Sequence, residues 1–401
     1  MARTVQPRAI PPLLKHLNER TVLEAIRARA PISRAEISRL AGISKPTVSL
    51  ALQSLHEAGL VRETTGEPGR PSYGAVFFEP VPDAAFVLGL DLGARFLRGA
   101  ICNLGGQIRA RQDVEIGGAD AEGALAAIAS LYERLIDASG ASRERIDCVV
   151  LGVPGVVEAG SGTLRLATNV PGLEGRVFSD DVQERLGLDV TLENDINLAA
   201  LGERWLGVAR GVDDFAFLSV GTGMGMGLVL DGRLHRGHNG AAGEVDWALA
   251  GLGREEVDPS AESLPALISR IAADGAWEGS FAALVDARAV FSAARGGDRL
   301  ARAVVEETAR RIALHISPIA AVADVALVVL GGGIGANGDL LLDRVRALLA
   351  EWMPYPPRVE TSSLGEAAVL TGALAVGVDS ALDNVFTNRA ARAPSGAGGA
   401  L

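Results

Sequence analysis

The sequence predicts an α/β chain in two unequal parts: a small helical head closed by a pair of strands, and a large body of two similar strand-rich lobes. Three observations carry this. The charge changes sign near residue 80, capped helix starts crowd the head, and an order of strands followed by helix and strand runs twice through the body. Residues 1–80 hold two Lys and nine Arg against seven Glu, net +4; the whole chain is −11, which leaves −15 on residues 81–401. Fixed positive charge attracts a phosphate backbone and an acidic surface repels it, so nucleic-acid contact is expected of the head alone.

Within the head, Ser33-Arg34-Ala35-Glu36 reads as a capping box, with the Ser33 hydroxyl and the Glu36 carboxylate each satisfying an orphan amide at a helix start. That helix should end at Ala41-Gly42, where glycine takes the left-handed conformation. Ser44-Lys45-Pro46-Thr47 is a second start, because Ser44 caps and proline costs no hydrogen bond in a first turn. Val48, Leu52 and Leu55 share one face, and Gly59 supplies the stop. Two short helices joined by a three-residue, glycine-containing turn form a helix-turn-helix. Lys45, Thr47 and Ser49, off the apolar face, are the candidates for the major groove; Lys15 and Lys45 are the only lysines in the head. Residues 60–63 and 75–78 read as strands around Thr64-Thr65-Gly66-Glu67-Pro68-Gly69-Arg70-Pro71, a wing whose Gly-Arg-Pro tip would hold Arg70 against a minor groove or phosphates. The alternative is a three-helix domain used for protein contacts.

Length and composition set outer limits. The 401 residues, 48% apolar, are enough for two or three folding units, each with its own core. Residues 316–330 form the longest apolar stretch, but Asp324 and the following Gly331-Gly332-Gly333 make it a core helix and a strand rather than a membrane span. The N-terminus has Arg and Pro without the apolar run of a signal peptide, so the cytoplasm is the expected compartment. Cys102 and Cys148 lie in strand-like apolar sequence and read as buried thiols.

After Glu79-Pro80-Val81-Pro82-Asp83, read as a linker, strands are predicted at residues 86–90, 96–103 and 107–114, then a helix near 122–138, a strand at 146–153, a helix near 178–186, a strand at 190–193 and a helix after Asn197. A weaker copy begins at Asp214, with strands at 215–220, 227–230 and 326–330. Two such halves around a cleft are the architecture of an actin-like sugar-kinase fold. The expected units are residues 1–80 (winged helix-turn-helix), 81–200 (first lobe), 201–390 (second lobe) and 391–401, the end of an Ala-, Gly-, Ser- and Pro-rich tail from Arg389 that is expected to be disordered.

The body resembles the repressor, open reading frame and kinase family, ROK, and the head makes the whole chain similar to that family's winged-helix transcriptional regulators. The matching stretches, in family order, are Gly152-Val153-Pro154-Gly155, Glu193-Asn194-Asp195-Ile196-Asn197, Gly221-Thr222-Gly223-Met224-Gly225, Gly240-Ala241-Ala242-Gly243-Glu244, Gly331-Gly332-Gly333 and Leu364-Gly365-Glu366. The resemblance implies a sugar site of Asn169, Asn194, Asp195 and Glu244, whose carboxylates and amides suit hydroxyls that both donate and accept. In the family's kinases the aspartate at Asp195 would accept the proton of the attacking hydroxyl, and turns at residues 91–93, 221–223 and 331–333 would surround nucleotide phosphates. From the residues alone, the alternative for Asn194 and Asp195 is a helix cap.

Three departures from the family pattern favour a regulator. Arg95 stands where the kinase pattern has a hydroxyl residue, and is expected to crowd the phosphates or to bind an anion. Asp246-Trp247 replaces the family's Gly-His, and residues 251–263 hold no cysteine, so neither zinc nor any other cofactor is expected. His235 and His238 read as surface residues. Trp247 either stacks on an apolar sugar face or fills the space left by the zinc loop.

The implied function is a DNA-binding transcription regulator, a repressor of genes for carbohydrate uptake or catabolism, whose grip on double-stranded operator DNA changes with a sugar in the cleft. It would act as a homodimer or a dimer of dimers, without a membrane and without catalysis. The alternatives are an ATP-dependent hexose kinase carrying a DNA-binding head, with Asp195 catalytic, and a ligand-free scaffold for dimerisation.

Overall fold

The structure is a computed structural model that describes residues 12–66, 75–167, 169–249, 251–274 and 286–392. The head comprises α1 (Pro12–Arg29), β1 (Ile32–Ser33), α2 (Arg34–Ala41), α3 (Lys45–Glu57), β2 (Val61–Thr64) and β3 (Phe77–Pro80). Its helix starts are local chemistry: Ser33 Oγ accepts from Glu36 N while Ser33 N donates to Glu36 Oε2 at 3.0 Å, and Ser44 caps α3. Gly42, at φ 66°, turns the chain between the two helices. Val48, Leu52 and Leu55 are buried against α1, and the strands pair in the order β1-β3-β2. The strand pair of the expected wing is therefore present, one to two residues later in the chain than predicted. Its tip, including Arg70, lies outside the described residues.

The first sheet of the body is built from β4 (Phe86–Leu92), β5 (Phe96–Asn103), β6 (Ile108–Glu115) and β7 (Ile146–Val153), with α4 (Ala121–Ser139) between the last two. A small hairpin of β8 (Val156–Val157) and β9 (Leu164–Arg165) precedes α5 (Phe178–Leu186), β10 (Val190–Asn194) and α6 (Asp195–Leu206). The second sheet takes β11 (Phe215–Val220), β12 (Met224–Leu230) and β13 (Arg233–Leu234), then α7 (Arg254–Val257), α8 (Leu264–Asp274), α9 (Ala287–Arg295) and α10 (Arg299–Ala323). It is completed by β14 (Leu327–Gly331), α11 (Gly332–Gly335), α12 (Gly338–Trp352) and β15 (Arg358–Thr361), and the chain continues into α13 (Ala368–Arg392).

Both sheets have one plan. The orders β10-β7-β4-β5-β6 and β15-β14-β11-β12-β13 superpose strand for strand, three antiparallel meander strands followed by two parallel additions. Parallel strands need crossover helices, which is why each half carries helices only after its third strand. Cys102 and Cys148 both stand opposite Val87 from its two sides, two strand spacings or about 10 Å apart, too far for a disulfide. Both thiols are buried, and burial pushes each up to about 12.

The C-terminal helix does not stay with the second sheet. α13 packs along α6 and onto β4 and β7, and its far end meets α1. By length and hydropathy its segment Gly365–Asn384 would be able to cross a membrane; here its apolar surface is spent on α6, the first sheet and the head. The expected boundary at residue 200 falls inside α6. The helix also runs through Arg392, so residues 389–392 of the tail expected to be disordered are helical; residues 393–401 lie outside the described residues.

The stretch read as a linker is packed on both sides. Val81 N donates to Leu60 O at 2.8 Å, Leu104 N to Pro82 O at 3.0 Å, and Asn103 Nδ2 to Asp83 Oδ1 at 2.6 Å. One apolar cluster contains Val22, Leu23 and Ile26 of α1, Val87 and Cys102 of the first sheet, and Val378, Ala381 and Leu382 of α13. Head and body thus share a core.

Candidate functional site

The cleft site is organised by the start of α6. Asn194 caps the helix: its Oδ1 accepts from Asn197 N at 2.9 Å, while its Nδ2 donates to Gly155 O at 2.8 Å, strapping α6 to the turn after β7. Of the two expected roles, the cap is the one these bonds serve. Asp195 follows as the first helical residue and accepts from Ile196 N at 2.9 Å. Burial and then the charge of Asp91 push its carboxyl up to about 7. Asn169 is exposed in the turn between β9 and α5. Glu244 is half-buried in the second lobe; burial and Asp246 raise its carboxyl, and its own charge acts on Asp195 across the cleft.

A loop closes the lobes. The φ of Gly243 is +109°, and a Cβ there would fall 1.9 Å from Met226 O, so only glycine lets the 240–244 turn lie on β12. The same loop sends Asn239 O to Ala159 N at 3.3 Å and Arg236 to Glu193, which is buried at the end of β10. Glu193 Oε1 in turn accepts from Asn194 N and Asn197 Nδ2. Arg236 and Glu193 were outside the expected set; Glu193 opens one of the quoted motifs, which was the available signal, whereas Arg236 precedes the 240–244 stretch and lies in none. His235 and His238 are exposed on this loop.

The turn at residues 91–93 holds a different arginine from the one singled out in sequence. Arg95 points outward to Glu115 at 3.0 Å, so it neither crowds the turn nor lines it. Arg98 is the residue that enters. It lies 3.2 Å from the buried Asp91, 3.7 Å from Asp113 and 3.0 Å from Glu366, with Asp91 and Asp113 its cross-strand partners in the two ladders of β5. Burial outweighs this pairing and pushes Asp91 up to about 6. In the second lobe the turns at 221–223 and 331–333 adjoin, with a Cβ on Gly221 falling 3.5 Å from Gly333 N.

The segment where the family's zinc would sit is held by protein groups. Arg311, fully buried on α10, donates to Asp258 O at 2.6 Å and also to Glu255 O, and His315 Nε2 lies 3.1 Å from Val257 O. A guanidinium among backbone carbonyls is the wrong donor set for zinc, so these residues do not fit that ion. Nor does Trp247 fill the space: the residue is 60% exposed.

In the head, Lys45 is exposed at the start of α3, whereas Thr47 Oγ1 is bonded to Ser44 Oγ and Ser49 Oγ to Lys45 O. The outer face of α3 also displays Leu50 and Gln53, which helical spacing opposite Val48, Leu52 and Leu55 would have found.

The ROK family profile matches residues 87–379, most of the chain. The chain belongs to the ROK family. A MarR family profile matches residues 16–71, the helix-turn-helix head. The ROK chain is 28% identical over 387 residues to a xylose repressor of Caldicellulosiruptor bescii, covering 91% of this chain and 96% of that one. It is also 29% identical to a glucokinase of Halalkalibacterium halodurans, over 65% of this chain and 83% of the other. Among solved structures, a ROK family transcriptional regulator described as a homolog of the E. coli MLC protein superposes with a TM-score of 0.79 at 23% identity, covering 94% of this chain and 99% of that one, a likeness of fold. A ROK glucokinase from Streptomyces griseus, in complex with glucose and AMPPNP, gives 0.58 at 27% identity over 73% and 99% of the two chains.

Proposed function

We propose that this ROK protein is a sugar-responsive transcriptional repressor that transfers no phosphate. The supporting observation is the shared core: a helix-turn-helix head is fused through α1 to α13, and α13 packs on the helix that starts at Asp195. The xylose repressor matched over nearly its whole length supports the same reading and makes an aldose the first effector to try. In this reading residues 1–80 hold the operator through Lys45, Thr47, Ser49 and Arg70. The body, divided near residue 200, holds the sugar among Asn169, Asn194, Asp195 and Glu244. The protein acts in the cytoplasm as a homodimer or a dimer of dimers, since paired heads meet paired half-sites. Sugar and DNA then bias one equilibrium between lobe arrangements, and each changes the affinity of the other reciprocally.

A fluorescence-anisotropy titration on the chain's own upstream DNA, repeated with D-xylose, D-glucose and N-acetylglucosamine, tests this. At least one sugar should shift the DNA affinity; constant affinity across the panel removes the effector. Lys45→Ala and Arg70→Ala should each weaken DNA binding.

The kinase reading has one observation in its favour, the Asp195 carboxyl near 7, suited to accepting a hydroxyl proton. Against it, Arg98 is already bonded to Asp91 in the first phosphate turn. Release of ADP with any sugar of the panel, abolished by Asp195→Asn, would reverse the choice.

A further inference from the structure

Trp247 belongs to a 3₁₀ turn, Val245–Leu249, that begins directly after Glu244. Trp247 N donates to Glu244 O at 3.1 Å, so Glu244 opens this turn and Trp247 completes its first round, which keeps the two residues one short turn apart. Glu244 is the member whose charge reaches Asp195. Between them, Val245 is buried in the second-lobe core and Asp246 pairs with Arg254 at 3.6 Å. The turn is thus anchored by Val245 and Asp246 and leaves the indole exposed one turn after the Glu244 carboxylate.

Among the described residues, the indole is largely exposed rather than packed. Arg311 and His315 already hold the segment behind it, and an indole left 60% exposed keeps more than 100 Å² or so of aromatic surface in water. A pyranose has complementary chemistry: hydroxyls around its edge for Asp195 and Glu244, and a face of C–H groups for an aromatic ring. Small-molecule sites combine these two kinds of contact, a few polar groups for orientation and apolar surface for affinity.

We propose that Trp247 is the stacking platform of the effector site and selects cyclic aldoses over the open-chain polyols of the same configuration. The inference rests on the sugar-effector reading above. D-Xylose against xylitol, and D-glucose against sorbitol, probe it, because the polyol of each pair offers the hydroxyls and an extra one but no ring face.

The test is calorimetry together with tryptophan emission on the full chain. In the wild type, the sugar that shifts DNA affinity should bind and change the emission, and its polyol should bind at least about tenfold more weakly. Trp247→Ala should lose about tenfold in sugar affinity and the emission change with it, while Trp247→Phe, which keeps an aromatic face, should retain most of the affinity. An unchanged thermal midpoint without sugar separates a lost contact from a lost fold. Equal sugar affinity in wild type and Trp247→Ala, or polyol binding as tight as sugar binding, overturns the platform and leaves the repressor reading standing. No binding of any sugar by the wild type overturns the effector reading, and the platform with it.

Discussion

Arg236 crosses the cleft to Glu193, with its Nε 2.6 Å from Glu193 Oε2, and so ties the loop after β13 to the strand that leads into α6. The carboxylate is buried and its other oxygen holds the first turn of α6 through Asn194 N and Asn197 Nδ2. One ion pair therefore bears on both the lobe angle and the helix start at Asp195. A ligand seated between the lobes acts directly on that geometry.

Arg236→Ala leaves Glu193 with its charge and without its cation. The arginine is about half exposed, so water recovers part of the loss and the cost should be about 1–2 kcal/mol in urea denaturation. Sugar affinity should fall too, because the closed arrangement loses its clasp. An unchanged midpoint and unchanged sugar binding would show the pair to be incidental.

Asp195 gives a pH dependence of definite sign. Its carboxyl is raised in the folded state, to about 7 against 3.8, so the stabilisation it contributes is complete below pH 3.8 and is lost as pH rises through 7. Asp195→Asn cannot ionise. The variant should match the wild type near pH 4 and exceed it at pH 8, by a margin on the order of a few kcal/mol reduced by any coupling to Asp91. Denaturation curves at the two pH values decide it; a wild type equally stable to its variant at pH 8 contradicts the raised carboxyl.

The loop over α10 is predicted to need its arginine and no metal. Arg311 is fully buried and binds the carbonyls of Glu255 and Asp258, so Arg311→Met strands those acceptors and should cost about 3 kcal/mol. A strong chelator should leave the wild-type thermal midpoint where it was. A chelator-induced drop reversed by zinc would falsify this account of the loop.

What could be read from the sequence was local. The Ser33–Glu36 box, the Ser44 cap and the β5, β7, β11 and α5 boundaries follow from capping groups and periodicity within a few residues, and the structure keeps them. What was missed depends on register and long-range packing. Arg98 meets Asp91 and Asp113 only because β5 pairs in one register with both neighbours, a pairing that no local motif encodes, whereas Arg95 stands beside the 91–93 motif itself. Glu193 and Arg236 are 43 residues apart, one on β10 and the other in the loop after β13. The packing of α13 against the head was equally hidden, since its apolar pattern is compatible with many partners.

That helix carries the last prediction, which concerns coupling rather than binding. At its start α13 lies so close to α6 that a Cβ on Gly372 would fall 1.8 Å from Leu198 O, and Glu203 of α6 accepts from Leu364 N just ahead of it. At its other end Leu382 joins the cluster containing Leu23 of α1, and Asp383 pairs with Arg20. In the proposed repressor, a shift of α6 beneath a bound sugar would be passed by α13 to α1, which packs against α3. Leu382→Ala and Leu23→Ala loosen that far contact without touching the cleft or the DNA-facing side of α3, at about 2 kcal/mol of stability each. Sugar affinity and sugar-free DNA affinity should stay within about twofold of wild type, while the coupling between them, typically 1–3 kcal/mol, falls toward zero. Operator anisotropy with and without saturating sugar measures it; full coupling retained in both variants would mean that the signal reaches the head by a route other than α13.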